Sequence, residues 1–441
     1  MHRRVINFIK KLDHFILMLS LIKWFFLSSI VGCVMGILSA LFLKSLKLAT
    51  DLRELNPWLL FLLPFAGAFV SFLYSRYGKN SAKGNNLIIE QAYYGDREIP
   101  LRMSVLVFLG TFLTHLFGGS AGREGTAVQM GGSVSEFIGR LFKLDKHDMK
   151  IILMCGISSG FGSVFGTPLA GTIFAVEVIA IGYMHYEALI PSFMSAFIGD
   201  YVATLVGATH SHYHIYSVPA VTPINVIKVI VAAAIFGIMS IIFSEGVHIS
   251  KSLFNRITKN AVLKSFIGGC MVILLTYIFD TREYLGLGLP MIKAAFDGHV
   301  PKYSFILKTL FTSVTLGAGF QGGEVTPIFF VGSTLGNILS NILLLPASFL
   351  AALGLISVFC GATNTPISSF ILGIEMFGSH GVVFMFIACI VSYLFSGHYG
   401  IYTSQRVYKS KSRMLNIYNE KTLKDIRELK IKRILMKQGE H

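Results

Sequence analysis

The sequence predicts an all-α polytopic membrane protein made of two inverted-topology repeats of tilted and broken helices. Three observations predict it. Of 441 residues, 53% are hydrophobic and only 14% charged, whereas soluble domains carry about 25% charged residues. Apolar runs recur near 22–45, 57–75, 103–118, 151–184, 188–208, 223–247, 261–279, 303–320, 328–362 and 366–397. Many are shorter than the ~20 residues of a full crossing, and others are interrupted by Gly, Pro or Asn. Finally, the chain repeats itself: Gly122, Glu124, Thr126 and Gly132 return as Gly322, Glu324, Thr326 and Gly332, all at an offset of 200.

The duplication has further members. Thr167-Pro168 precedes Glu177 by the spacing that separates Thr365-Pro366 from Glu375. Gly84-x-x-Leu87 is matched more faintly by Gly286-x-x-Leu289. In each half a Gly-rich turn delivers a carboxylate between apolar runs. Paired, interrupted apolar segments point to a transporter with its binding site at the repeat interface. The interruptions imply half-crossing helices, because non-helical backbone at membrane depth needs protein or a water-filled cavity around it.

Charge sets the orientation and the domain plan. The start, Met1-His2-Arg3-Arg4 followed by Lys10-Lys11, has no small-residue cleavage site after it and is not a cleavable signal. Between Arg406 and Lys437 eleven Lys or Arg face only Glu420, Asp425 and Glu428. The stretch from Arg76 to Arg102 is also basic, while Ala208 to Pro223 holds no Lys or Arg and faces out. Both termini are therefore expected in the cytoplasm, in a multi-pass protein of the inner or plasma membrane. Residues 1–20 form a cytoplasmic segment and 21–405 the membrane domain, with repeats of about 21–210 and 223–405; a basic tail spans 406–441. In that tail Leu423, Ile426, Ile431, Ile434 and Leu435 outline one amphipathic helix, solvated or lying on the membrane. The net charge of +15 then serves the inner face and its anionic membrane lipid. No basic domain stands apart, which argues against a nucleic-acid partner. Cys33, Cys155, Cys270, Cys360 and Cys389 sit singly in apolar runs and read as small buried hydrophobes, not as metal ligands or disulfides. Neither a metal nor a cofactor is expected, and neither is an enzyme marked by a His-Glu-x-x-His, Gly-x-Ser-x-Gly or paired-Asp signature.

The turn Gly118–Gly132 carries the first candidate site. A helix should begin near Glu124 or Gly125, with unpaired N–H groups at the positive end of its dipole. Such an end binds anions without a cationic side chain. Glu124 can fill that site with its own carboxylate, and when protonated it loses the attraction and can swing away. Intramembrane carboxylates cost ~2.5–3.5 kcal/mol, which favours a function. The plainer alternatives are an ion pair with Arg123 or a helix cap. In the matching turn, Gly317–Pro327, Pro327 suits the first turn of a second helix. The N–H groups of Glu324 and Val325 are candidate ligands there, and the Glu324 carboxylate is either functional or an ordinary N-cap. Asn85 and Asn86 follow Lys79 and Lys83, and their amides donate hydrogen bonds without charge; a plain turn fits them equally well. His210-Ser211-His212-Tyr213-His214 reads as a polar outer loop more readily than as a metal site. Tyr402 opens the tail, where an interfacial Tyr is common.

Taken together, these motifs resemble the CLC family of chloride channels and proton-coupled anion antiporters, over about residues 20–405. Gly122-Arg123-Glu124-Gly125-Thr126 is similar to that family's Gly-Arg-Glu-Gly-Pro turn, with Thr126 in place of Pro. Thr167-Pro168-Leu169-Ala170-Gly171 through Glu177 resembles its Asn-x-Pro-Leu-Ala-Gly segment. Gly323-Glu324-Val325-Thr326-Pro327 stands where the family has Gly-x-Phe-x-Pro, and Tyr402 where its pore tyrosine is expected. Three departures matter. Asn85 replaces the pore serine, Val178 holds the position of the chloride antiporters' inner acid, and Glu324 replaces an apolar residue. That combination is similar to the fluoride-type branch of proton-coupled exporters. The resemblance implies a CLC-like fold and a homodimer with one anion path per subunit. It implies Glu124 as the gating, proton-coupling carboxylate and Glu324 as a second coupling residue. The anion would be bound by Asn85, Gly122, Arg123, Gly125, Gly323, Val325 and Tyr402. The implied function is fluoride/proton antiport. The alternative is a chloride-selective or broad anion channel or antiporter of the same family.

Overall fold

A computed structural model describes residues 2–95, 98–211 and 213–439, with side chains from Asp13 to Lys432. Eight helices make the first repeat: α1 (His2–Leu55), α2 (Leu63–Tyr77), α3 (Asn85–Tyr94), α4 (Arg102–Leu116), α5 (Glu124–Leu141), α6 (Lys146–Phe165), α7 (Pro168–Glu177) and α8 (Leu189–Leu205). Eight more make the second: α9 (Pro223–Ile257), α10 (Ala261–Ile278), α11 (Leu289–Asp297), α12 (Ser304–Gly317), α13 (Val325–Leu343), α14 (Ala347–Thr363), α15 (Pro366–Phe377) and α16 (Val382–Phe395). The tail ends in α17 (Leu423–Gly439).

The repeats match in length as well as order. Helices α3 and α11 have 10 and 9 residues, α5 and α13 have 18 and 19, and α7 and α15 have 10 and 12. At 1.5 Å per residue, a ten-residue helix reaches about 15 Å, half of a ~30 Å hydrocarbon core. Seven helical segments among the described residues are long and apolar enough to cross a membrane. The chain is thus a multi-pass membrane protein in which full crossings alternate with short, buried half-helices.

Local chemistry sets the helix ends. Asp145 caps α6 by accepting from the N–H groups of His147 and Asp148, both at 2.9 Å. The helix stops at Gly166, whose φ of +74° suits a residue without Cβ. Inside the bundle, small residues let backbones touch. A Cβ on Gly131 would collide with the Gly156 carbonyl of α6, and Gly332 meets Gly354 of α14 in the same way.

Two reciprocal contacts between the repeats show the pseudo-two-fold relation. Gly122 and Gly323 form an antiparallel β-bridge: Gly122 N–H donates to Gly323 O at 2.6 Å, and Gly323 N–H to Gly122 O at 2.8 Å. Helices α7 and α15 exchange carboxylates. Glu177 accepts from Ile367 N–H (3.1 Å) and Ser368 N–H (2.8 Å), and Glu375 accepts from Leu169 N–H (2.9 Å) and Ala170 N–H (2.7 Å). The last turn of each helix caps the first turn of the other. Only antiparallel neighbours can do that, as inverted repeats require.

Two expectations need correction. Cys155, Cys360 and Cys389 are buried, but Cys33 and Cys270 lie on exposed faces of α1 and α10, where the surrounding surface is apolar and Cys behaves like its neighbours. The first turns of the tail helix are not free in solvent but docked on the membrane domain. A short parallel sheet, β1 (Ala180–Ile181) with β2 (Arg406–Val407), brings the tail back to the membrane domain. Leu423 and Ile426 then pack with Ile181, Val407 and Tyr418. Arg427 Nε bonds both oxygens of Glu245 on α9, at 3.0 and 2.9 Å. Leu423 and Ile426 of the apolar stripe therefore find protein, while Ile431 remains 43% exposed. The side chains of Ile434 and Leu435 lie outside the described residues.

Candidate functional site

Both Gly-rich turns end at a helix start in the middle of the protein, and the β-bridge holds them together. Helix α5 begins at Glu124 and α13 at Val325. The Glu124 carboxylate does not turn back on its own helix. It crosses to the other repeat and accepts from Thr326 N–H at 3.0 Å and from the Thr326 hydroxyl at 2.6 Å. It therefore occupies the positive end of α13, where a free anion would be drawn. Glu124 is 1% exposed. Arg123 is the nearest cation, with Nε 3.5 Å from Glu124 Oε1, and its N–H donates to Oε2 at 3.2 Å. The Arg123 pairing and the anion-site occupancy thus coexist.

Glu324 stands at the N-cap position of α13 but makes no capping bond with its side chain. Its Oε2 is buried without a hydrogen-bond partner among the described residues. The ordinary capping role is consequently not the one it plays; Glu124 has taken that place. Gly125 explains how the groups come so close. A Cβ there would stand 2.9 Å from Asn85 Nδ2, 3.0 Å from Gly323 Cα and 3.6 Å from Glu324 Oε2. The absent side chain is what lets Asn85, from the start of α3, and Glu324 meet at α5.

Tyr402 is 4% exposed, and its ring centroid is 6.5 Å from that of Phe174. Its loop is held from several sides. Gln405 N–H donates to Tyr402 O at 3.1 Å, and Gln405 Nε2 donates to Val178 O (2.9 Å) and Thr363 O (3.0 Å). Ser404 N–H donates to Asn86 Oδ1 at 2.9 Å, which ties this loop to the residue beside Asn85. Val178 itself is buried and apolar. Its carbonyl accepts from Gln405 Nε2.

A cavity of about 1070 Å³ reaches Arg123 and is lined also by Lys44, Arg53, His210 and Arg282, with Asp51, Glu54 and Glu283 among the remaining residues. His210 Nε2 lies 3.0 Å from Ser163 O, so this histidine belongs to the wall of the cavity. His212 lies outside the described residues. No group of three His, Cys, Asp or Glu that could hold a metal occurs among the described residues. The pattern Gly-x-Ser-x-Gly does occur, at Gly118–Gly122 and Gly156–Gly160. Neither serine is a poised nucleophile: Ser120 Oγ bonds Thr312 Oγ1 at 3.0 Å, and Ser158 sits inside α6 bonded to Ser192 O at 2.6 Å.

The candidate residues Asn85, Gly122, Arg123, Glu124, Gly125, Gly323, Glu324 and Val325 therefore gather where the two turns cross, with the Tyr402 loop tied in through Asn86. Thr326 was not among them. Its signal was present, since Thr126 and Thr326 are one of the four repeated identities, but nothing in the repeat says that one member receives the other half's carboxylate.

Comparison with known proteins places this geometry in context. The model of the family described as "Voltage gated chloride channel" matches residues 66–397. A "Chloride/fluoride channel protein" of Pseudomonas syringae pv. tomato is 44% identical over 395 residues, covering 88% of this chain and 87% of that protein. Among solved structures, a CLC-type fluoride/proton antiporter superposes with a TM-score of 0.85 at 35% identity, covering 88% of this chain and 98% of that one. A slow cyanobacterial Cl⁻/H⁺ antiporter superposes at 0.74 with 19% identity, over 85% of this chain and 94% of that one. At that identity the second match speaks for the fold alone.

Proposed function

This chain belongs to the voltage-gated chloride channel family, and on that premise we propose that it exchanges fluoride for protons across the cytoplasmic membrane. The observation that carries the reading is the Glu124 carboxylate of one repeat seated on the Thr326 N–H and hydroxyl of the other. Charged, Glu124 fills the anion position. A proton removes its attraction to the helix start, the side chain leaves, and a fluoride takes the same donors. A proton and an anion thereby compete through one carboxylate.

Fluoride is small and strongly hydrated, so it needs close, strong donors to give up its water. The N–H groups at two helix starts and the Asn85 amide are such donors. Glu324 supplies a second carboxyl beside them and is assigned the second role in coupling. Tyr402, buried beside Phe174, is assigned to the anion-binding residues. The similarity to a fluoride/proton antiporter and to a chloride/fluoride channel protein supports the choice of anion. Both termini are assigned to the cytoplasm on the basic tail, and a homodimer with one path per subunit follows from the family resemblance. Subunit counting by single-molecule photobleaching tests the latter; one bleaching step per particle would overturn it.

The main test is a flux assay on purified protein in liposomes loaded with fluoride or chloride, with external anion and internal pH followed together. Fluoride efflux should drive proton entry and exceed chloride efflux. Fluoride flux without proton movement would make the protein a passive channel. Chloride flux equal to fluoride flux would favour the broader anion reading.

A further inference from the structure

The amide of Gln129 is a buried polar group next to the site that the proposed exchange does not use. It lies on α5 one turn after Gly125, and residues four apart share a helix face. That face packs on α3. A Cβ on Gly125 would meet Asn85 and Glu324, a Cβ on Gly84 would stand 3.4 Å from Gln129 Nε2 and 3.7 Å from its Oε1, and Gly132 is closed off by Ile88. Gln129 is 5% exposed and Asn85 9%. Asn85 Oδ1, Gln129 Oε1 and Glu324 Oε2 are all buried without a partner among the described residues.

Three orphan acceptors along one seam are expensive unless something donates to them. A bare anion donates nothing. A water molecule donates two hydrogen bonds and can turn its oxygen to neighbouring N–H groups. We propose that Asn85, Gln129 and Glu324 form an acceptor cup for a water that fluoride retains on entering the site: one hydrogen of that water stays on the fluoride and the other is donated to Gln129 Oε1, which makes Gln129 a specificity-determining residue. Resting on the fluoride reading above, this inference concerns how that ion is dehydrated. The helix-start donors take the anion, while the cup holds its last water and lowers the cost of stripping the rest. Chloride holds its water more weakly and gains less from the cup.

The test is Gln129→Met, which keeps the length of the side chain and removes the amide, with Gln129→Asn as a conservative rescue. Wild type and variants are reconstituted in liposomes, and fluoride flux, chloride flux and proton movement are measured. In Gln129→Met the fluoride-to-chloride ratio should fall about tenfold, the worth of roughly one hydrogen bond in a dry site, with the proton-to-fluoride stoichiometry kept. Gln129→Asn should recover part of the ratio. A ratio unchanged in a variant that elutes and melts like wild type would overturn the cup. Equal slowing of both anions would reduce Gln129 to packing and overturn it too. A changed stoichiometry at a lowered ratio would mean that the donor is a transported proton and not a retained water, which also overturns it. Failure of wild-type protein to couple protons to fluoride would instead remove the parent reading, so the two failures are distinguishable.

Discussion

Thr326 gives both its backbone N–H and its hydroxyl to Glu124, 202 residues away in the other repeat. The hydroxyl is the part that mutation can remove without touching the helix start. Hydrogen bonds to charged groups contribute ~1.5–3 kcal/mol, and each 1.4 kcal/mol is about tenfold in occupancy. Thr326→Val should therefore loosen the seated carboxylate by roughly ten- to a hundredfold, and Thr326→Ser should not. In liposomes the valine variant should pass fluoride with fewer protons per ion. Wild-type stoichiometry in Thr326→Val would mean that the hydroxyl does not hold the gate.

Asn85 meets α5 through an amide, where a hydroxyl would stand in chloride-type members of the family. An amide offers two donor hydrogens and a hydroxyl one. With Asn85→Ser, fluoride loses donors that it needs more than chloride does. Chloride flux should rise relative to fluoride, and a steady ratio under mixed-anion loading would take selectivity away from this residue.

How much of this could be read from the residues depends on the kind of information involved. The crossing of the two turns was legible because Gly, Glu, Thr and Gly recur at one offset, and a helix start is recognisable from Gly followed by Glu and Pro. Half-length helices were legible from the interruptions. The exchange of Glu177 and Glu375 left only an equal spacing in the chain; that each carboxylate reaches the other helix is a property of antiparallel packing, which spacing does not encode. Gln129 lies within the Gly118–Gly132 stretch, but an uncharged amide on an apolar helix gives no signal until its missing partner is visible. Tail docking depends on where α9 presents Glu245, 182 residues before Arg427, and local amphipathicity does not distinguish a protein surface from a lipid one.

Glu324 keeps an oxygen buried and without a partner among the described residues. If it only shaped the turn, Glu324→Gln would be nearly silent, because the amide has the same size and can still accept. If it exchanges protons with the bound fluoride, the variant loses that step. Fluoride turnover should drop while the protein stays folded by thermal melting. Normal turnover would leave Glu324 a structural residue.

The docked tail makes a prediction about pH. Lys411 lies outside the membrane-spanning helices, where its amine donates to Tyr393 O at 2.7 Å and to Ser396 Oγ at 2.9 Å. Burial pushes that amine down to about 7 from 10.5, and burial likewise brings Lys430, packed over the Tyr399 ring, down to about 8. A depressed base means that the undocked tail binds more protons than the docked one between about 7 and 10.5. Docking therefore strengthens as pH rises through that window and is level below it. Limited proteolysis of the tail should slow between pH 7.5 and 9.5, after correction for protease activity on an unfolded control. Replacing both lysines by Met should flatten the dependence and protect the tail at pH 7.5. A cleavage rate that follows the unfolded control at every pH would show that neither amine gives up its proton when the tail docks.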